Sequence, residues 1–477
     1  MEQNAPRQPA PTSQPVALTV AGSDSGGGAG IQADLKTMEA AGVFGTSVVT
    51  SVTAQHTQGV ESTHILPAEE VDAQLSAVFS DFDIRALKTG MLATAELVEL
   101  VTEWVQSQEI PAVVDPVMVA ATGDRLLEPD AEQAYKRLIE AATLVTPNAD
   151  EAAVLTDIEP ETSSDLQSAG KQLCEMGADA ALVKGGHLSG EQVTDVFVSA
   201  TTADQSAANA GEGDYTSRQF THPRIEGAAT HGSGCTLASA ITAQLAQGTT
   251  LEKAVKRGIE QLSRAIRYHH AVGSGGAVHH SATQQERAGR TETIAAVERC
   301  LRQLHQFQWQ TEGLLDAIVP EVGMQIAGAT PYAERVEEIA AIDGRITRTS
   351  MRIRETRGVR FGASSHIARL LLTAREFDPS LRFAANCRYD NRIDAVLAEQ
   401  DWAIASFDRT AEPTAEEENS TMSWGTKRAF ESVAETPVAI VDDGAHGKEP
   451  MTRLLATDAE TLADRLCTIA SRVAAEQ

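Results

Sequence analysis

Cysteine is scarce: five residues, Cys174, Cys235, Cys300, Cys387 and Cys467, odd in number, widely scattered and never in a CxxC pair. That argues against a disulfide framework and a zinc-binding class, and fits a reducing cytoplasm. Lysine is scarcer still in proportion. Only nine of the 39 basic residues are Lys, and 67 acidic residues outnumber them all, for a formal net charge of -28. A polyanion repels nucleic acid and anionic lipid unless it carries a local basic face, so neither is expected as a partner. The one dense basic run, residues 345–360, reads equally as a solvated strand pair or as an anion site. The acidic, Lys-poor composition suits a protein that stays hydrated in concentrated salt, and a salt-loving host is expected. Long apolar runs are absent as well: no stretch reaches the roughly 18 residues a membrane helix needs. The opening MEQNAPRQPAPTSQP is polar and Pro-rich with no apolar core, so residues 1–15 read as a disordered lead rather than a signal.

What is present organises into two blocks. At 477 residues and 42% hydrophobic, the chain exceeds the roughly 250–300 residues at which single cores stop growing. From Val16, short β-branched runs alternate with helical stretches: VALTV, then IQADLKTMEAAG; GTSVVTSVTA; RALKTGM, then TAELVELVTEWVQ; PAVVDPVMV, then DAEQAYKRLIEAA; TLVTPN; a helix over about 163–176; and ALVKGG. Two strands near 193–223 and helices on either side of Gly248 complete the block. This alternation predicts an α/β fold with a doubly wound, mostly parallel sheet and ligands at the strands' carboxyl ends. Residues 271–290, rich in Gly, Ser and His, read as a linker in which His279 and His280 could bind a metal but are expected to be solvated. A second, smaller α/β domain is expected over 291–477, opening on the helix IAAVERCLRQLHQF and closing on AETLADRLCTIASRVAAE, with EPTAEEEN as a surface loop.

Two glycine motifs carry chemistry in the first block. AGSDSGGGAG, residues 21–30, joins a predicted strand to a predicted helix, but it lacks the GK[ST] of a phosphate-binding P-loop and is not a clean GxGxxG. It suits a small substrate at least as well as a nucleotide phosphate. THGSGC, residues 230–235, opens the helical TLASAITAQLAQ. At a helix amino terminus the free N–H groups of Gly232, Ser233 and Gly234 and the helix dipole can stabilise a transferring phosphoryl group. The same position is expected to lower the thiol pKa of Cys235 and make it a base toward a substrate hydroxyl, against the alternative of a small buried residue.

Seven ordered motifs, GSDSGGGAGIQADLKT, VTAQHTQGV, KTGML, DPVM, TPNADEA, VKGGH and THGSGCTLASA, resemble the hydroxymethylpyrimidine/phosphomethylpyrimidine kinases of the ribokinase-like superfamily over about residues 16–268. The resemblance implies that Gln55 hydrogen-bonds an aminopyrimidine, that Met91 packs on its ring, and that Asp34 and the loop containing Gly28 lie near its substituents. For Asp34, helix capping is an equal reading. It further implies Asp115 and Glu151 around Mg²⁺ and Lys184 on phosphate, with ATP as donor and two successive phosphorylations. Dimerisation is common in that superfamily, so a homo-oligomer is expected by analogy.

In the second block GRI, FGASSHIAR, AANCRYD, SFDR and GKEP resemble an archaeal-type thiamine-phosphate synthase domain over about 291–477. By that resemblance the block couples the pyrimidine pyrophosphate to thiazole phosphate. Arg345 and His366 are the candidates for the departing pyrophosphate, and Asp408, Arg409 and Lys448 could meet phosphate or Mg²⁺, although a buried ion pair accounts for Asp408 equally well. By the resemblance an apolar residue is expected where Cys387 stands, and Gln325 is not matched to the family position that is usually polar. The expectation is therefore a cytoplasmic bifunctional enzyme. Two alternatives are a kinase with a non-catalytic thiamine-phosphate sensor behind it, and a pyridoxal-type kinase.

Overall fold

A computed structural model describes residues 10–118, 131–200, 215–227, 229–311, 314–348, 353–355, 357–408, 421–445 and 447–475. Residues 1–9 of the expected lead, the EPTAEEEN run and Arg409 lie outside the described residues. The chain divides into two compact units, residues 1–284 and 285–477.

In the first unit, the described strands β1 (Val16–Ala21), β2 (Phe44–Val49), β3 (Ser51–His56), β4 (Gly59–Ile65), β5 (Ile84–Thr89), β6 (Ala112–Val114), β7 (Leu144–Val145), β8 (Ala180–Val183), β9 (Gln192–Ala200) and β10 (Tyr215–Pro223) form two sheets. The larger has the order β10-β9-β8-β7-β6-β5-β1-β2, with β9 and β10 antiparallel to their neighbours and the rest parallel. β3 and β4 pair separately as an antiparallel hairpin. GTSVVTSVTA thus serves two sheets: the chain breaks at Thr50, whose hydroxyl bonds to the Met91 carbonyl at 2.7 Å.

The central strands are buried on both faces, which is why they read as continuous apolar runs rather than as alternations. Leu18, Val20, Leu87 and Val114 pack with α2 (Ala68–Asp81), α3 (Ala95–Ser107), α4 (Ala131–Glu140) and α6 (Ser163–Glu175). Their neighbours Ala17, Ala86 and Val113 pack on the other face with α1 (Gly30–Ala40), α7 (Ser233–Ala246) and α8 (Leu251–Arg267). The short α5 (Ala149–Thr156) follows β7 and starts with a capping box between Asn148 and Glu151.

The division between the units falls within the segment expected as a linker, after Gln284, but two of its histidines are not solvated. His279 and His280 are 4% and 5% exposed, packed within the first unit, and α9 begins at Ala282 and runs to Gln310. A glycine-rich coil without periodicity offers no sequence signal of burial, because its core contacts come from turns rather than from a repeating face.

The second unit holds β11 (Ile326–Ala329), β12 (Ile339–Ile342), β13 (Ile346–Arg348), β14 (Ile353–Glu355), β15 (Val359–Phe361), β16 (Phe383–Arg388), β17 (Ile404–Ser406), β18 (Ala439–Asp442) and β19 (Met451–Ala456). Seven of these form a sheet of order β15-β12-β11-β16-β19-β18-β17, in which β17–β18 is the one parallel pair among the described strands. β13 and β14 make a two-stranded ribbon that carries Arg348 and Arg354 of the basic run. Helices α10 (Ser365–Phe377) and α12 (Thr421–Glu431) contribute to the core on one face of the sheet, and α9, α11 (Asn391–Ala398) and α13 (Ala459–Ala475) to the core on the other.

Candidate active site

The parallel strands of the first unit bring both glycine motifs to one end of the sheet. β1 leads into residues 22–29, where the Asp24 carboxylate accepts from the amides of Gly26 (2.8 Å), Gly28 (3.0 Å) and Ala29 (2.7 Å). His231 Nε2 lies 2.9 Å from the same carboxylate, which joins the second motif to the first. Burial alone would raise the Asp24 carboxyl, but the His231 contact and the loop amides outweigh it and hold the group below its ordinary range. Gly232 sits at φ +82°, and a Cβ there would stand 1.7 Å from the Gly28 carbonyl, so only glycine allows the two loops to meet.

Around this junction the expected substrate residues gather. Ser25 Oγ donates to the Gln55 carbonyl and accepts from its amide, both at 2.8 Å, and Thr53 Oγ1 lies 3.2 Å from Gln55 Oε1. Met91 is 9% exposed and lies beside Gly22, close enough that a Cβ at Gly22 would meet its methyl group at 2.7 Å.

Asp34 departs from expectation. It is fully buried in mid-helix, neither capping α1 nor open to a ligand. Its carboxylate takes hydrogen bonds from Thr19 Oγ1 (2.6 Å), Ser239 Oγ (2.6 Å) and Lys88 Nζ (3.0 Å). Burial works against the Lys88 charge, but Asp34 and more distant anions keep its pKa above the ordinary lysine value. This satisfied ion pair braces α1 and α7 against β5.

A second cluster lies at the ends of β6, β7 and β8. Asp115 Oδ1 accepts from Thr146 Oγ1 (3.0 Å) and from Lys184 Nζ (3.2 Å). Glu151 uses one oxygen to accept the Asn148 amide at 2.8 Å. Burial, with the Asp115 charge adding and Lys184 opposing, pushes the Glu151 carboxyl up to about 7. Lys184 keeps its charge because Asp115 and Glu151 outweigh its own burial. The amino terminus of α7 faces this cluster: a Cβ on Gly234 would lie 3.5 Å from both Asp115 Oδ2 and Lys184 Nζ. Two mutually repelling, buried carboxylates fit Mg²⁺, which takes one or two protein carboxylates and completes its shell with water and phosphate.

Cys235 stands in the first turn of α7, partly exposed. The expected low thiol pKa does not hold. Burial pushes the thiol up to about 11, with Asp34 and Asp115 adding to the effect and Lys88 and the Gly30 amide opposing it. Desolvation and two nearby carboxylates outweigh the helix terminus.

Residues overlooked by sequence reasoning are Asp24, His231 and Lys88. Asp24 had a legible signal, a carboxylate inside a glycine run whose amides need an acceptor. His231 and Lys88 had none, because their partners lie 207 and 54 residues away.

In the second unit the candidate residues divide. Arg345 follows β12 and donates to the Val322 carbonyl; Val322 N in turn bonds to Glu449 beside Lys448, so Arg345 and Lys448 share one end of the sheet. Asp408 follows β17, at that same end. His366 follows β15, whose Phe361 pairs with Ala340, and the Gly362 amide bonds to the Ile339 carbonyl at the start of β12. Arg345 and His366, both expected to meet the departing pyrophosphate, therefore lie toward opposite ends of the sheet. His366 does stand in the first turn of α10, and Arg345, His366, Asp408 and Lys448 are all exposed. Asp408 is exposed, while Asp442 and Arg453 form a buried ion pair, with the Arg453 guanidinium 5.7 Å from the Phe407 ring centre. Gln325 is buried, its Nε2 donating to the Ile342 carbonyl at 2.9 Å. Cys387 fits as a fully buried thiol pushed up to about 12 by desolvation.

Comparison with known proteins accords with this division. Residues 24–280 match the phosphomethylpyrimidine kinase family, and residues 301–468 match thiamine-phosphate synthase ThiN. The bifunctional thiamine biosynthesis protein ThiDN of Methanocaldococcus jannaschii is 30% identical over 447 residues, covering 93% of this chain and 95% of that protein. The hydroxymethylpyrimidine/phosphomethylpyrimidine kinase of Streptomyces coelicolor is 45% identical over 266 residues, 56% of this chain and 93% of its own. Among solved structures, an ADP complex of Bacillus subtilis pyridoxal kinase aligns with a TM-score of 0.50 at 31% identity, over 57% of this chain and 99% of that one. No helix among the described residues is long and apolar enough to cross a membrane. The chain belongs to the phosphomethylpyrimidine kinase family, in the bifunctional thiamine-biosynthesis form that carries a thiamine-phosphate synthase domain behind the kinase.

Proposed function

We propose that the first unit phosphorylates hydroxymethylpyrimidine, and then its phosphate, with ATP and Mg²⁺, and that the second couples the resulting pyrophosphate to thiazole phosphate with loss of pyrophosphate. The observation that carries the kinase reading is the amino terminus of α7 facing Lys184 and Asp115, where a Cβ on Gly234 would lie 3.5 Å from both side chains. Phosphoryl transfer needs positioning and charge stabilisation more than covalent chemistry. The amides of residues 232–234 and the Lys184 ammonium point where negative charge develops. Asp115 and Glu151 would hold Mg²⁺, which when bound neutralises charge on the nucleotide phosphates. Gln55 and the loop at Gly28 orient the pyrimidine, and Met91 covers its ring.

Cys235 takes a reduced part in this account. A thiol near 11 is protonated at neutral pH, so it orients the acceptor hydroxyl rather than standing as a ready base. In a loose transition state the hydroxyl proton leaves late, which lowers the demand for a base. Cys235→Ala is then expected to lower kcat about tenfold, below the roughly 10²–10⁴ of a lost general base. A loss of 10³ with a pH–rate profile flattened by the substitution would restore the base assignment. Pyridoxal offered in competition tests the acceptor, and its preference over hydroxymethylpyrimidine would replace this reading with a pyridoxal-type kinase.

In the second unit we assign Arg345 and Lys448 to the departing pyrophosphate, and His366, with the amino terminus of α10, to a phosphate approached from the other end of the sheet. Arg409, next to Asp408 in the sequence and outside the described residues, is assigned to phosphate as well. Ligand binding without turnover would instead make this unit a sensor. The net charge of -28 supports a cytoplasmic protein adapted to high salt, and dimerisation follows by family analogy. Activity lost in molar KCl would contradict the salt assignment.

A further inference from the structure

Residues 269–281 touch three parts of the kinase site at once. The segment closes on itself through His270 and Ala277, whose main chains exchange hydrogen bonds at 2.7 and 3.1 Å, and the His270 and His279 rings stack at 4.0 Å. The His279 amide anchors it to the Ala265 carbonyl of α8 at 2.8 Å. From this base the Gly275 amide reaches Thr57 Oγ1 (3.0 Å) in the turn between β3 and β4. A Cβ at Gly275 would stand 2.5 Å from the Thr57 carbonyl, so the approach requires glycine. The Val278 amide points to the His231 carbonyl at 3.4 Å, and His280 Nε2 lies 3.3 Å from the Gly28 carbonyl.

A carbonyl only accepts, so His280 Nε2 carries the proton of this bond. Lys36 Nζ makes the matching contact on the adjacent carbonyl, Gly27, at 2.6 Å. The glycine loop is therefore held on two sides: Asp24 collects its amides, while Lys36 and His280 hold its carbonyls. The Gly28 carbonyl is also the atom that a Cβ on Gly232 would strike, so its position sets how the loop meets the entry of α7. Burial, with Lys36, His270 and His279 adding, keeps His280 neutral with its pKa lowered to about 4.

We propose that residues 269–281 form a strap of the kinase pocket, and that His280 is a positioning residue which fixes the glycine loop by donating to the Gly28 carbonyl. The consequence for catalysis rests on the kinase reading above; the consequence for the loop does not. The test uses the full chain as wild type, His280→Ala, His280→Gln and the milder Thr57→Ala, with steady-state kinetics and hydrogen–deuterium exchange. Losing one hydrogen bond is expected to raise KM for hydroxymethylpyrimidine about five- to tenfold in His280→Ala, with kcat within about twofold. His280→Gln, which keeps a donor, returns KM to within about twofold of wild type. Amides of residues 24–30 exchange about tenfold faster in His280→Ala while those of α7 are unchanged, and Thr57→Ala shows a smaller change of the same sign. Wild-type KM and wild-type exchange in His280→Ala would overturn the proposal, as would a His280→Gln variant as impaired as His280→Ala. Accelerated loop exchange in a chain that phosphorylates no hydroxymethylpyrimidine would uphold the strap and overturn the kinase reading.

Discussion

The two units place their charged site residues differently. In the first, Asp24 pairs with His231 and Asp115 with Lys184, all largely buried at the carboxyl ends of parallel strands. In the second, Arg345, His366, Asp408 and Lys448 are exposed and stand toward both ends of a mostly antiparallel sheet. A parallel sheet sends every strand-to-helix loop to one end, so motifs far apart in sequence converge without further arrangement. An antiparallel sheet alternates the direction of its loops, so neighbours in sequence separate.

The largest expected effect breaks the buried side of this contrast. Asp34→Asn leaves Lys88 charged and unpaired in the core, and should destabilise the first unit by about 3–5 kcal/mol in denaturant unfolding. An effect below about 1 kcal/mol would show the pair to be dispensable. Next, Lys184→Ala should lower kinase kcat by about 10²–10³ through the lost transition-state charge, measured by single-turnover phosphorylation. Equal rates in wild type and variant would remove Lys184 from the phosphate site.

The pH dependence of folding sharpens the contrast further. His280 is held at about 4 in the folded chain, below the ordinary imidazole value of 6.5. Its contribution is therefore complete above pH 6.5 and is lost as pH falls toward 4, a change of at most about 3 kcal/mol. His280→Gln should flatten that part of the first unit's stability profile, and an unchanged slope would contradict the burial argument.

The parallel core and the position of Cys235 at a helix start were legible, because apolar β-branched runs and a glycine-helix junction are local signals. The Cys235 pKa was not, since it depends on Asp34 and Asp115, 201 and 120 positions away, being brought beside it by folding. Asp34 misled for a related reason: its partners Thr19, Lys88 and Ser239 span 220 residues of chain, and no local pattern distinguishes a buried ion pair from a ligand-facing acid. The strap at residues 269–281 has the composition of a linker, and only its last part, Ala277 to His280, is buried. In the second unit the cationic residues were legible but their distribution over two ends was not, because strand direction is set by pairing that the sequence pattern leaves open.

The most direct test supplies the full chain, in molar KCl, with ATP, Mg²⁺, hydroxymethylpyrimidine and thiazole phosphate and follows the products by chromatography. The account predicts thiamine phosphate from the wild type and accumulation of the pyrimidine pyrophosphate in Arg345→Ala and His366→Ala. Accumulation of that pyrophosphate in the wild type itself would contradict it, leaving a kinase whose second unit does not catalyse the coupling.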